Sequence, residues 1–145
     1  MGLQLSIVTP ERELFAGEVD SVLAPGKDGQ MGILPRHVPL VAVLREGTLV
    51  ARRGEEELLF AIHGGYIQVL PDRVIVLADV AEWAEEIDVE RAEAARRRAE
   101  ELLKKKPPPE VRAEAVAALR RSLVRLRVAR RRRYRIEAEE PERSD

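Results

Sequence analysis

The stretch LLFAIHGGYIQVLPDRVIVLA, residues 58–78, decides the fold of the first half of the chain. It holds three short apolar runs, which are separated by Gly64-Gly65 and by Pro71-Asp72, residue pairs typical of turns. Short runs that are rich in β-branched residues and bounded by turn residues indicate β-strands. The last run, Val74–Ala78, contains no polar residue, so we expect this strand to be buried on both faces.

The same pattern continues on the N-terminal side of this stretch. Leu3, Leu5 and Ile7 alternate with polar residues, as in a strand that buries one face. Further short apolar runs follow at Ile33–Leu34, Leu40–Leu44 and Leu49–Ala51. Strands at a spacing of roughly 8–12 residues predict a β-sandwich or a barrel.

The composition changes near Trp83, after which alanine, arginine, glutamate and leucine favour helices. Asp88 is a candidate N-cap for a helix within residues 87–104, and Pro107-Pro108-Pro109 must end that helix because proline lacks the backbone N–H. A second helix is predicted to begin near Glu110. Both helices carry stripes of small residues, which predicts an antiparallel hairpin. The stripes are Ala92, Ala95, Ala99, Leu102 and Leu103, and then Val111, Ala115, Ala118, Leu119, Ser122, Leu126 and Ala129.

The charges are strongly segregated, although the net charge is only −1. Residues 1–84 carry 7 basic and 12 acidic side chains, and residues 85–103 carry 4 and 7. Residues 104–135 carry 13 and 2, whereas residues 136–145 carry 1 and 5. This asymmetry predicts a charged partner or docking of the basic part within the chain. We divide the chain into a β domain (1–84), a helical hairpin (85–135) and an acidic tail (136–145), which we expect to be frayed.

Several classes of function are disfavoured by residue content. The chain has no cysteine, which excludes disulfides, thiolate catalysis and cysteine-ligated metals. No apolar run is long enough to span a membrane and no secretory signal is visible, so the cytoplasm is the expected compartment. His37 and His63 have no clustered partners, and Gly64-Gly65 lacks the pattern of a phosphate loop and is expected to form a turn or bulge. We therefore predict neither a catalytic nor a metal site.

A run of arginines is the strongest sign of a binding function. It comprises Arg120, Arg121, Arg125, Arg127, Arg130, Arg131, Arg132, Arg133 and Arg135. A solvated helix face, nucleic-acid binding and docking on an acidic protein surface are all compatible with this run, because arginine suits both phosphates and carboxylates. Few aromatic residues and an acidic first domain weigh against a nucleic acid, but composition alone leaves the choice open.

Four motifs in order resemble the epsilon subunit of F-type ATP synthases. Residues 29–40, GQMGILPRHVPL, resemble the family signature G-x-x-G-I-L-P-x-H-x-P-L. LSIVTP with LFAG (5–10 and 14–17) looks like the opening strands, and FAIHGGYIQV (60–69) looks like the mid-domain strand pair. IDVERA (87–92) fits the I/L-D-x-x-R-A motif of the first C-terminal helix. The resemblance covers about residues 2–133.

This resemblance implies an α+β protein with a flattened β-sandwich of about ten short strands, followed by a two-helix hairpin. The family's subunit is non-catalytic and sits on the central stalk, where it couples the ring of c subunits to gamma. It can inhibit ATP hydrolysis when its hairpin extends toward the alpha and beta subunits. The resemblance also implies a peripheral position on the cytoplasmic face of the cell membrane and no role for nucleic acid. Asp28, Gln30, Met31 and His37 would face the ring.

Two further sites are implied on the hairpin. In the extended state an acidic segment of the beta subunit would be bound by Arg120, Arg121, Arg125, Arg127, Arg131 and Arg132. The family requires no cofactor, but some members bind ATP on the folded hairpin as a regulatory ligand. The matching positions here are Glu82, Asp88, Arg91, Ala92, Arg98, Arg121 and Arg125. Val124 differs from the polar residue often found in nucleotide-binding relatives.

Overall fold

The computed structural model describes residues 2–139, with the side chains of Tyr134 and of residues 137–139 left aside. The chain divides into two compact units, Met1–Trp83 and Ala84–Asp145. The first unit contains only strands and turns, and the second is helical. None of the helices in the described part of the chain is both long and apolar enough to cross a membrane.

Ten strands form the first unit. They are β1 (Leu3–Val8), β2 (Glu13–Val19), β3 (Ser21–Gly26), β4 (Gly29–Ile33), β5 (Leu40–Leu44), β6 (Gly47–Arg53), β7 (Glu56–Ile62), β8 (Gly65–Val69), β9 (Arg73–Ala78) and β10 (Ala81–Trp83). Their hydrogen-bonded order is β10-β7-β6-β3-β5-β8-β9-β1-β2, and β4 pairs with β3. All pairs are antiparallel except β1 with β9. The predicted β-sandwich of about ten short strands is confirmed.

Most strands bury alternate side chains, as a sheet folded over a single core requires. In β1, Leu3, Leu5 and Ile7 are fully buried while the residues between them face outward. The expectation that Val74–Ala78 is buried on both faces is wrong, because Leu77 is 54% exposed. The pleat sends alternate residues of β9 to the core and to the outer face, whatever their polarity.

An aromatic cluster closes one part of this core. Phe60 is completely buried, and its ring centroid lies 4.3 Å from that of Trp83 and 5.9 Å from that of Phe15. Trp83 keeps its indole N–H satisfied by donating to the carbonyl of Leu14 at 3.2 Å. The cluster therefore fastens β10, the last strand, to the core through both packing and a hydrogen bond.

The second unit begins with a 3₁₀ turn, Ala84–Glu86, which precedes α1 (Val89–Lys104) and α2 (Pro109–Glu139). The predicted N-cap is confirmed, because the Asp88 carboxylate accepts a hydrogen bond from the backbone N–H of Arg91 at 3.0 Å. The cap satisfies one of the unpaired donors of the first turn.

The connection between the helices is short because proline both ends α1 and starts α2. Lys106 has a φ of 49°, a left-handed conformation that turns the chain away from α1. Pro109 is the first residue of α2, where its missing N–H costs nothing. The backbone N–H of Arg112 already donates to the carbonyl of Pro108 at 2.8 Å.

Small side chains line the hairpin interface, as predicted. Ala92 and Ala99 of α1 are buried, as are Ala115 and Ser122 of α2. The Ser122 hydroxyl donates to the carbonyl of Ala118 and so adds no unpaired polar group. Leu102 and Val111, which were assigned to the stripes, are exposed.

Two further corrections concern α2. Val124 and Val128 are buried although neither belongs to the predicted stripe. The predicted tail of residues 136–145 begins inside this helix, which continues to Glu139 because alanine, glutamate and isoleucine do not interrupt it. The rest of the tail lies outside the described residues.

Candidate interaction surfaces

The turn between β3 and β4 carries three of the four residues predicted to face the ring. Asp28 lies at the turn, and Gln30 and Met31 follow on β4, opposite Pro25 and Ala24. All three line a groove of 430 Å³. The full lining is Gly26, Lys27, Asp28, Gly29, Gln30, Met31, Val41, Ala42 and Val43. The groove is bordered by β5, because the N–H of Lys27 donates to the carbonyl of Val43 at 2.9 Å.

His37, the fourth of these residues, lies in the loop that follows β4 and does not line this groove. Its Nδ1 lies 2.7 Å from the carbonyl oxygen of Val38, which can only accept, so Nδ1 carries the hydrogen. His37 is half-buried, and the hydrogen bond to its own neighbour fixes the orientation of its ring.

An exposed apolar row lies beside this groove, and sequence reasoning missed it. The row crosses three strands: Tyr66 on β8 stands opposite Val43 on β5 and, on its other side, Leu77 on β9. All three side chains are exposed. Val41 precedes them on β5 and is 70% exposed. Adjacent exposed apolar side chains on one sheet face are typical of a protein interface. The uninterrupted apolar sequence of β5, Leu40–Leu44, was the available sign, because a strand with one solvated face should alternate.

The candidate nucleotide residues of the hairpin share one flank. Arg91 and Arg98 directly precede the buried Ala92 and Ala99, so they lie about 100° to one side of the α1 interface. Arg121 directly precedes the buried Ser122 in the same way. In an antiparallel pair, residues that precede the interface positions fall on the same side of both helices. Arg125, four residues after Arg121, extends that flank.

Some of these residues already form hydrogen bonds or ion pairs within the hairpin. Asp88 caps α1, and Arg121 lies 3.6 Å from the carboxylate of Glu114. Ala92 is buried against α2 and offers no polar atom. The flank can therefore offer a ligand the exposed guanidinium groups of Arg91 and Arg98 from α1, and the half-buried ones of Arg121 and Arg125 from α2.

Glu82, the remaining candidate, belongs to β10 of the first unit. Its carboxylate lies 3.2 Å from Nε2 of His63, whose side chain is 3% exposed. His63 directly follows β7, and Glu82 on β10 stands opposite Ala61, so the two residues are diagonal neighbours. His63 therefore has a carboxylate partner, which sequence reasoning missed.

The arginines assigned to an acidic partner surface differ in their surroundings. Arg132 is held by Glu85, with Nε 3.1 Å from the carboxylate, so the end of α2 is tied to the 3₁₀ turn. Arg120 and Arg127 are exposed and have no ion-pair partner among residues 2–139. Arg131 is also exposed. In the described part of the chain, no group of three or more His, Asp or Glu side chains is suited to a metal ion.

Family comparisons agree with both units. Residues 2–84 match the model of the ATP synthase delta/epsilon chain beta-sandwich domain, and residues 85–130 match the long alpha-helix domain of the same chain. An ATP synthase epsilon chain from Dehalococcoides mccartyi is 52% identical over 132 residues, which covers 90% of this chain and 94% of the relative. One from Herpetosiphon aurantiacus is 50% identical over 135 residues, which covers 93% and 99%.

A solved structure supports the fold. A chain in the Euglena gracilis mitochondrial ATP synthase, determined with its F1 and c-ring parts, matches with a TM-score of 0.74. The match covers 82% of this chain and 76% of that one, at 24% identity.

The chain combines a β-sandwich with a basic helical hairpin, and family models match it over residues 2–130. This combination defines a class of non-catalytic subunits of rotary ATP synthases. The chain belongs to the ATP synthase delta/epsilon family, and the two relatives described above, at 52% and 50% identity, are ATP synthase epsilon chains. The resemblance stated from the four sequence motifs is thereby confirmed.

Proposed function

We propose that this subunit couples rotation of the ring of c subunits to gamma and restrains ATP hydrolysis by extending its helical hairpin. Membership of the epsilon-chain family supports the first part. The groove at Asp28–Met31 would meet the ring, as would His37 in the loop that follows β4. The apolar row of Val43, Tyr66 and Leu77 suits a permanent contact with gamma. The subunit would then lie on the cytoplasmic face of the cell membrane as a peripheral part of the synthase.

The proposed restraint of ATP hydrolysis is supported by one observation about the hairpin. Its basic helix α2 packs against α1 through very small side chains. Burying alanine contributes little, since apolar burial stabilises by roughly 25 cal/mol per Å². The exposed Arg120 and Arg127 have no ion-pair partner among the residues described here. An acidic segment of the beta subunit would supply such partners and would offset the lost alanine packing. We therefore favour an acidic protein surface, rather than a nucleic acid, as the partner of the arginine-rich helix.

Hydrolysis by the assembled synthase tests this part. Changing Arg120, Arg127 and Arg131 together to alanine should weaken inhibition by about tenfold, because each of these exposed arginines would lose a charge pair with the beta subunit. Such an exposed pair contributes roughly 0.2–1 kcal/mol. Raising the ionic strength should weaken inhibition of the unmodified enzyme in the same direction. The measurement is the steady-state hydrolysis rate with and without the triple substitution.

The matched control changes Lys105, Arg97 and Arg112 to alanine. These are three exposed cations of the same hairpin, so the change in net charge is equal. Inhibition should persist in this control. Equal inhibition in the test variant and the unmodified enzyme would exclude the arginine face as the inhibitory contact.

We further propose that ATP binds the folded hairpin as a regulatory ligand and is not hydrolysed. The support is the shared flank of Arg91, Arg98, Arg121 and Arg125, where several guanidinium groups can engage phosphate oxygens. Val124 is buried, so its apolar side chain would not meet such a ligand. Because both helices contribute, ATP would favour the folded hairpin over the extended one.

Calorimetric titration of the full chain with ATP tests this site. Arg98→Gln should weaken binding about tenfold or more, because a hydrogen bond to a charged group contributes about 1.5–3 kcal/mol. Arg97→Gln is the control: it removes the same charge from the adjacent exposed residue, which points about 100° away on the helix. Absence of heat at millimolar ATP would refute the site.

A further inference from the structure

A groove on the opposite flank of the hairpin has no small ligand assigned to it so far, although one of its residues, Arg127, is among the arginines proposed to meet the beta subunit. It has a volume of 360 Å³ and lies between α1 and α2. Its lining residues are Glu93, Arg96, Leu123, Leu126, Arg127 and Arg130. Three arginines against one glutamate give the lining a net charge of +2.

Arg96 is held rigidly at this groove by two carboxylates of its own helix. Its Nη2 and Nε donate to Glu93 at 2.7 and 3.1 Å, and its Nη1 donates to Glu100 at 3.1 Å. The hydrogen bond and charge of Glu93, followed by the charge of Glu100, raise the pKa of Arg96. A guanidinium has five N–H donors, so two remain available on an oriented and permanently charged group.

Arg127 and Arg130 supply the other wall. They are three residues apart on α2 and therefore share a face. Both are exposed, and neither has an ion-pair partner among residues 2–139. Arg127 follows the interface residue Leu126, just as Glu93 follows Ala92, so both walls lie on the flank away from Arg91 and Arg98.

We propose that this groove is a second anion site, in which Arg96, Arg127 and Arg130 bind a phosphate group such as that of inorganic phosphate or pyrophosphate. Three guanidinium forks from two helices suit an anion with several equivalent oxygens around one centre. A ligand that contacts both helices binds only the folded hairpin, so it stabilises that state by mass action. The proposal does not depend on ATP binding, because the two sets of residues lie on opposite flanks.

The test is a titration of the full chain with pyrophosphate and with inorganic phosphate at constant ionic strength. Binding is measured by calorimetry and by the NMR signal of the Arg96 Nε–H. We expect binding of pyrophosphate to the unmodified chain, with a shift of the Arg96 signal. The double variant Arg127→Gln/Arg130→Gln should bind at least tenfold more weakly. The control Arg97→Gln/Arg112→Gln, which removes the same charge from exposed residues outside the groove, should bind normally.

The Arg98→Gln variant separates this site from the opposite flank, where the phosphates of a nucleotide would bind. Unchanged pyrophosphate affinity in that variant supports a separate site. Pyrophosphate binding that Arg98→Gln weakens as much as the double variant would overturn the proposal. So would equal weakening in the control variant, or no binding at millimolar pyrophosphate.

Discussion

Replacing Phe60 by alanine is expected to lower the free energy of unfolding of the β unit by about 3–5 kcal/mol. The Phe60 side chain is fully buried, and it contacts the rings of Phe15 and Trp83. Its removal leaves a cavity at the point where β10 joins the core. The loss of stability therefore includes both the lost burial of the ring and the cost of the cavity. Trp83 is the single tryptophan of the chain, and its fluorescence during urea unfolding measures the effect.

Leu77→Ala is the matched control for this experiment. Leu77 is also a large apolar residue of the sheet, but it is 54% exposed, so the expected change is below about 1 kcal/mol. A loss of under about 1 kcal/mol for Phe60→Ala would mean that the aromatic cluster does not hold the core together.

A second large effect is expected for Gly65→Ala, at the start of β8. Gly65 has a φ of 124°, a backbone conformation that residues with a side chain rarely adopt. An added Cβ would also lie only 2.2 Å from the carbonyl oxygen of Leu77. The atom it meets is backbone of the paired strand β9, so the strands must separate locally. Backbone strain of this kind costs about 1–3 kcal/mol before the clash is counted. We expect a total loss above about 3 kcal/mol, measured as the shift in the urea midpoint at a constant slope.

Gly32→Ala, on β4, tests whether conformation and clash are responsible. No atom lies within 4 Å of an added Cβ at Gly32, and Gly32 lacks a positive φ. Its substitution should change stability by less than about 0.5 kcal/mol. Similar losses for the two alanine variants would contradict this explanation of the Gly64-Gly65 turn.

Local chemistry in the sequence was sufficient for much of the fold. The Gly64-Gly65 turn, the Asp88 cap and the proline break between the helices each depend on a few neighbouring residues, and each was predicted correctly. The burial of β9 was predicted wrongly, because an apolar sequence does not show which face of a strand another layer covers. Val124 and Val128 were missed as well, because neither falls on the small-residue stripe from which the burial of α2 was predicted.

The interaction surfaces were less accessible from sequence. Motif positions identified Asp28, Gln30 and Met31, which the fold gathers at one groove. The row of Val43, Tyr66 and Leu77 joins three strands through their register, and no local pattern encodes that register. The contact of His63 with Glu82 likewise connects residues 19 positions apart.

The parallel pairing of β1 with β9 has a consequence for how this chain is made. Gln4 to Val8 stand beside Arg73 to Leu77, so one edge of the first hairpin lacks its partner until nearly 80 residues have been synthesised. At roughly 5–20 residues per second, β1 waits several seconds or more on the ribosome. Such non-local pairing also slows refolding, because a long loop must close before β1 and β9 can pair. The nascent subunit is therefore most vulnerable to aggregation before β9 emerges, long before the arginine helix is made.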